Sequence, residues 1–283
     1  MRLLSRIEPV AAVLKRPHGL LEAPRFGGSG ELLFSDVLGG GLWTCSADGA
    51  VSELLPGRRG IGGAVAHADG GWVVSGRTLV HLRTDGTQRE LLGGDGVCGF
   101  NDLGATPDGE LLAGVLRYRP LAGEPERAGQ LIRIDARGAV TVLSERVTWP
   151  NGIGVAPDGN TIYVSDYARA CVLALSPDGQ DVRELCSSPR GSPDGLAVDA
   201  EGGVWVALGQ GGAIGRFLPD GRLDELVAVP AQFVSSLCFG GPDMRDALIT
   251  TANNHVNPEL GGALFRARSE IAGLALSPVV VRA

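Results

Sequence analysis

Short apolar runs recur along this chain, each set off from the next by a polar turn pair. Residues 32–36, 72–75, 111–115, 161–165, 204–207 and 247–251 are rich in β-branched, aliphatic and aromatic residues, as strands are. Each run follows a turn: Ser29-Gly30, Asp69-Gly70, Asp108-Gly109, Asp158-Gly159, Glu201-Gly202 and, more loosely, Pro242-Asp243. A second set of turns comes after them, at Asp48-Gly49, Asp85-Gly86, Arg137-Gly138, Asp178-Gly179 and Asp220-Gly221. The unit repeats at a period of roughly forty residues, within the range of propeller blades. Six such units fill the chain. A small meander cannot bury both faces by itself, and radial stacking is the usual solution. The pattern therefore predicts an all-β fold, a six-bladed β-propeller of four-stranded antiparallel blades, as one domain over residues 1–283. A β-sandwich is the alternative, but it would not need so even a period. Residues 9–14 and 278–281 are strand-like, and one or both are expected to close the ring by completing the last blade.

The repeat also places polar residues in phase. Seven residues before the first turn of four units stand Glu22, Asn101, Asn151 and Asp194. The same phase gives Gly62 in the second unit and Ser235 or Ser236 in the sixth. That position is the start of a blade's innermost strand, and such starts ring the central channel at one height. Taken singly, an Asn-Gly or Asp-Gly pair is a turn former. Taken together, two carboxylates converging near an axis repel unless a cation lies between them. An all-oxygen set of Asp, Glu and Asn suits a hard divalent cation. Calcium fits best, with magnesium, manganese or zinc as alternatives, although zinc would more often recruit His or Cys. Asn151 and Asp194 each sit between a proline and a glycine, where the proline restricts the backbone before the ligand and the glycine lets the strand bend behind it.

Charge and composition narrow the partners. The net charge is −7, against a nucleic-acid partner, and no apolar run approaches a membrane span. The N-terminal residues lack the apolar core of a signal peptide, and the five cysteines are widely spaced with no Cys-x-x-Cys. Reduced, mostly buried thiols in a cytoplasmic monomer or weak homodimer, acting on a small molecule, are expected. His18, His67, His81 and His255 share no phase and read as packed or solvated. No Gly-x-Ser-x-Gly elbow is present, against a serine hydrolase.

Several longer motifs resemble the gluconolactonase/regucalcin (senescence marker protein) family. They are Leu21-Glu22-Ala23-Pro24, Phe100-Asn101-Asp102, Pro150-Asn151-Gly152 with Pro157-Asp158-Gly159, and Tyr163-Val164-Ser165-Asp166. Pro193-Asp194-Gly195-Leu196, Val204-Trp205-Val206-Ala207 and Phe239-Gly240-Gly241-Pro242-Asp243 follow in order. The resemblance implies a six-bladed propeller with a catalytic divalent cation, held by Glu22, Asn151 and Asp194, with Asn101 as a further ligand or substrate contact. It implies hydrolysis of aldonolactones, other lactones or phosphate triesters. Two positions depart from the sugar lactonases. Their usual arginine two residues before the third-blade Asn is Gly99 here, and Thr106 stands where an aspartate is often found shortly after it.

A cation can polarise a lactone carbonyl and lower the pKa of water. Asp194 is the expected catalytic group, ligating the cation and accepting or positioning the proton of that water. Asp166 ends a second strand and is expected to bind substrate, to order the ligands, or simply to close a turn. Phe100 and Trp149 flank ligands and could wall the pocket. The third unit carries an extra segment, 116–128, from which Arg117, Tyr118 or Arg119 could reach the substrate. The substrate expected is a lactone or ester less polar than gluconolactone. A metal-binding propeller that isomerises or cyclises its substrate, or a non-catalytic interaction module, is the alternative.

Overall fold

A computed structural model of the chain describes residues 3–11, 13, 18–94, 96–252 and 261–282. Its strands form six antiparallel four-stranded sheets. Blade 1 is β2 (Leu21–Phe26), β3 (Leu32–Asp36), β4 (Leu42–Cys45) and β5 (Val51–Leu55). Blade 2 is β6 (Ala64–Ala66), β7 (Trp72–Val74), β8 (Leu79–Leu82) and β9 (Gln88–Leu92). Blade 3 is β10 (Gly99–Ala105), β11 (Leu111–Leu116), β12 (Gln130–Ile134) and β13 (Val140–Ser144). Blade 4 is β14 (Pro150–Val155), β15 (Ile162–Asp166), β16 (Cys171–Leu175) and β17 (Val182–Ser187). Blade 5 is β18 (Leu196–Val198), β19 (Val204–Ala207), β20 (Ala213–Phe217) and β21 (Leu223–Ala228). Blade 6 is β22 (Val234–Gly240), β23 (Asp246–Thr251) and β24 (Leu264–Arg268), completed on its outer edge by β1 (Glu8–Pro9). The innermost strands β2, β6, β10, β14, β18 and β22 touch their neighbours around a closed ring. This is the six-bladed propeller.

The turns carry the chain through each hairpin because their glycines adopt left-handed backbone angles, as at Gly109 (φ 81°) and Gly159 (φ 74°). Ring closure falls to the N-terminal segment alone. β1 pairs with β24 through Glu8 opposite Arg266 and Pro9 opposite Phe265. Residues 278–281 do something else. The Val279 amide donates to the Ala66 carbonyl and the Val280 amide to Gly109, while Leu274 donates to Val198 in blade 5, so residues 278–281 form the last part of a strap, residues 273–281, that runs across the end of the channel. His67 fastens it, with Nε2 3.0 Å from the Val281 carbonyl.

The core is divided into six clusters, one in each gap between blades. The middle strands serve two gaps at once. In β3, Leu32 and Phe34 face blade 6 while Leu33 faces blade 2. In β19, Val204 and Val206 face blade 4 while Trp205 and Ala207 face blade 6. Both faces being buried explains why these strands read as unbroken apolar runs instead of alternating ones. The three described histidines are packed. His18 lies beside Asp36 at 3.4 Å, and the His67 and His81 rings stack at 3.9 Å; His255 lies outside the described residues. Among the described residues no helix is long and apolar enough to cross a membrane.

Candidate active site at the upper end of the channel

All six innermost strands begin at one end of the channel, here called the upper end. A chain of contacts stitches those beginnings together. Ser35 Oγ donates to the Ile61 carbonyl at 2.6 Å, and the Asn101 carboxamide donates to the Pro150 carbonyl at 2.9 Å. The Gly152 amide donates to the Asp194 carbonyl at 3.1 Å, the Gly195 amide to Ser235 at 2.7 Å, and Ser235 Oγ to Leu21 at 2.5 Å. Glycine is needed here for close approach: a Cβ on Gly152 would overlap the Leu196 amide, and one on Gly195 the Ser236 side chain. The glycine after each of these two ligands therefore admits the next blade. Gly63 plays the matching part in blade 2, since a Cβ there would overlap the Leu103 amide.

The candidate ligands sit where the strands are irregular. Pairing between β2 and β3 shifts register between Glu22 and Arg25, between β10 and β11 from Phe100 to Leu103, and between β14 and β15 from Pro150 to Ile153. A bulge breaks the alternation of side chains and re-aims those within it. Ala23, directly after Glu22, holds a left-handed φ of 52°, a conformation costly for any residue with a Cβ and of the kind found at functional sites.

Glu22, Asn151 and Asp194 come together there, all buried. Burial pushes the Glu22 carboxyl well above its ordinary value, and the neighbouring Asp194 and Asp102 carboxylates push it further. Burial does the same to Asp194, with Asp102 adding to it and a hydrogen bond from Asn151 opposing it. The Oδ1 atom of Asp194 is buried with no hydrogen-bond partner among the described residues. Asp102 is the acid that sequence reading missed. It follows Asn101 directly, is buried, and is driven up to about 6 by desolvation against the opposing pull of Arg25. Strand alternation would have sent it away from the site, and only the bulge brings it in. Thr106, at the position where the sugar lactonases often carry an aspartate, caps the β10–β11 turn at the opposite end, accepting from the Glu110 amide at 3.0 Å. Among the described residues no group of three or more His, Cys, Asp and Glu is arranged as a metal site. The centre is two carboxylates with carboxamides, a donor set for a hard cation.

Beside Asn101 opens a cleft of about 490 Å³, walled by Tyr118, Trp149, Arg77 and Leu121. Trp149 packs on Tyr118 at 6.5 Å and on Tyr167 at 4.4 Å. Tyr167 was also missed. Burial raises its phenol to about 12, with the Asp194 and Glu22 charges contributing, and its hydroxyl donates to Gln210 Oε1 at 3.2 Å. The Tyr118 hydroxyl is buried with no partner among the described residues. Asp166 is fully buried and accepts from the amides of Thr148 (2.8 Å), Trp149 (3.2 Å) and Arg169 (3.3 Å). It positions the loop that presents Trp149 and has no exposed surface for substrate. Phe100 is buried in the core between blades 2 and 3 and also lines this cleft. Arg117 is paired with Glu145 at 3.5 Å, and Arg119 is paired with Glu124. Gly99 is pressed against blade 2, where a Cβ would stand 3.2 Å from the Gly76 carbonyl.

The chain resembles known proteins over nearly its whole length. It is 31% identical to a 6-deoxy-6-sulfogluconolactonase of Pseudomonas putida, over 95% of this chain and 97% of that one. It is 32% identical to a pentonolactonase of Haloferax volcanii, over 59% and 61% of the two chains. The fold matches that of a calcium-binding regucalcin of Agrobacterium tumefaciens with a TM-score of 0.85 at 23% identity, covering 98% of each chain. The profile of the SMP-30/Gluconolactonase/LRE-like region matches residues 20–253. With that match spanning most of the propeller, the chain belongs to the SMP-30/gluconolactonase/LRE-like family.

Proposed function

We propose that this protein is a divalent-cation-dependent hydrolase that opens lactones at the upper end of its channel. One observation carries the reading: Glu22 and Asp194 are buried side by side, each held above its ordinary pKa, and Asp194 keeps an oxygen with no partner among the described residues. A cation held by Glu22, Asn151 and Asp194, with Asn101 next to them, would remove that repulsion and use that oxygen. When bound, it supplies polarisation of the lactone carbonyl and a lowered pKa for water. The names of the sulfogluconolactonase and pentonolactonase relatives support the reaction class, and the regucalcin likeness supports the cation.

The chain's own groups divide the remaining work. Asp194 accepts or positions the proton of the attacking water. Asn101 gives its amide to Pro150, which fixes the carboxamide and leaves its oxygen for the cation or the substrate. Trp149 and Tyr167 wall the site and exclude water, and Asp166 holds the Trp149 loop in place. The Tyr118 hydroxyl offers a hydrogen bond to a substrate in the cleft.

The substrate we propose is a lactone with fewer hydroxyls than gluconolactone. Gly99 offers no side-chain donor, and Glu145 and Glu124 engage Arg117 and Arg119. Each polyol hydroxyl left unpaired costs about 1–3 kcal/mol. The test compares kcat/KM for gluconolactone with that for an alkyl-substituted γ- or δ-lactone under one cation. The alkyl lactone is expected to be better by at least roughly ten-fold, the ratio for one lost hydrogen bond. A preference for gluconolactone would overturn the substrate class and point to Arg77 as its polyol donor. No turnover of any lactone, alongside tight cation binding, would overturn the hydrolase itself.

A further inference from the structure

The innermost strands end, at the lower end of the channel, around a second cavity of about 630 Å³. Its walls are apolar: Phe26, Val155, Val198 and Phe239 from four blades. Its floor is the strap, where Leu274 and Leu276 face the cavity. The strap is fixed on both sides, with Gly273 donating to the Met244 carbonyl at 2.7 Å, Leu274 to Val198 at 2.8 Å and Val279 to Ala66 at 2.8 Å. Small residues at Ala66, Ala197 and Ala275 keep the space open where larger side chains would have filled it. The volume falls within the range of cavities that take small molecules, roughly 300–1,000 Å³.

One charged residue lines this cavity, Arg25. It stands between the two ends of the channel. Its Nη1 donates to the Pro24 carbonyl at 2.7 Å and its Nη2 to the Leu103 carbonyl at 3.3 Å. Its Nε is buried without a partner among the described residues, and none of their carboxylates comes within 4.0 Å of the guanidinium. Asp102 lies on the far side, near enough to feel Arg25 but not to pair with it. A half-buried guanidinium with two backbone partners, and only the unpaired Asp102 to offset it, keeps part of its charge and part of its five-donor fork unanswered. The group that answers both at once is a carboxylate, which meets the fork with two parallel hydrogen bonds.

From this we propose that the lower cavity is a binding site for a small apolar monocarboxylic acid, of the medium-chain fatty acid type. The carboxylate meets Arg25 and the alkyl tail lies along Val155, Val198 and the strap leucines. The site is separate from the upper carboxylates and stands whether or not the upper end hydrolyses lactones.

Calorimetric titration of the full-length, cation-loaded protein with decanoate, and separately with decanol, tests it. Wild type is expected to take one equivalent of decanoate, at least roughly ten-fold tighter than decanol, as a charge-assisted hydrogen bond provides. Arg25→Met removes that preference and leaves decanol binding unchanged. Ala197→Phe, which fills the cavity away from Arg25, weakens both ligands roughly ten-fold or more. Asp194→Ala, at the other end, changes neither. Saturable decanoate binding absent from wild type would overturn the proposal, and so would equal affinity for decanoate and decanol. Decanoate binding lost in Asp194→Ala would place the acid at the upper end and overturn it as well. Should Arg25→Met fail to fold by circular dichroism, the wild-type decanoate-to-decanol ratio and Ala197→Phe still decide.

Discussion

The two ends of the channel are built from the same innermost strands and differ in almost everything else. At the upper end, three of those strands are bulged at or beside a candidate ligand, and buried carboxylates crowd together. At the lower end, the same strands pair in regular register down to Phe26, Ala105 and Val155, and the walls are apolar. A regular strand obeys alternation, so what it presents to the channel is set by packing. A bulged strand is released from alternation and can bring two neighbouring polar residues, Asn101 and Asp102, towards one place. The chemistry is concentrated where the strand rules are broken, and the left-handed Ala23 is part of the cost.

That contrast can be broken at its most exposed point first. Asp194→Ala is expected to lower lactone turnover by about 10³-fold, within the range of a lost general base, while far-ultraviolet circular dichroism stays unchanged. The same variant should raise the melting temperature of the cation-free protein, because it removes one of three buried carboxyls that repel one another. A fall in that melting temperature would show that Asp194 stabilises the fold by contacts other than those described.

The next effect is on stability alone. Gly152→Ala at the upper end must displace the Leu196 backbone and is expected to cost about 1–3 kcal/mol. Gly28→Ala at the lower end meets nothing within 4 Å and should stay within about 0.5 kcal/mol of wild type. Denaturant midpoints for the pair measure the difference directly, and equal values would mean that the upper ring is not close-packed.

The smallest effect is in pH. Asp102 is raised from 3.8 to about 6, so the folded protein holds its proton more tightly than the unfolded chain. Such a group penalises folding fully above about pH 6, and the penalty is relieved as pH falls towards 3.8. Glu22 and Asp194 are raised in the same sense. His81 is lowered, mainly by burial, and opposes this by losing stability below its ordinary 6.5. Subtracting the profile of Asp102→Asn from that of wild type cancels His81. The difference should show wild type gaining stability from pH 7 to pH 5, with a slope of at most about 1.4 kcal/mol per pH unit, the value for one proton taken up on folding. Saturating divalent cation should flatten it. A difference with the opposite slope would mean that Asp102 is paired, not isolated.

Much of this was legible in the sequence because it is periodic. The Gly-containing turns fix the strand count, and counting back from them reaches Glu22, Asn101, Asn151 and Asp194 in one phase. What escaped is local and aperiodic. Asp102 and Tyr167 take their places from a bulge and from a loop held by Asp166, and neither leaves a spacing to count. Phe100 next to a ligand does line the cleft, but it also packs into the core between blades 2 and 3, a double role that adjacency to a ligand does not reveal. Residues 278–281 have strand composition because Val279 and Val281 are buried, yet their hydrogen bonds go to blades 2 and 3 and make a strap instead of a blade edge. Arg25 stands three residues after Glu22, and only the fold reveals that it lines the lower cavity.

Turnover of an alkyl lactone before and after chelation, followed by return of a single divalent cation, is the most direct test of the upper end. Wild type should lose its activity on removal of the cation and regain it on return, and Asp194→Ala should do neither. Full activity in the chelated protein would contradict a cation-dependent hydrolase built on Glu22, Asn151 and Asp194.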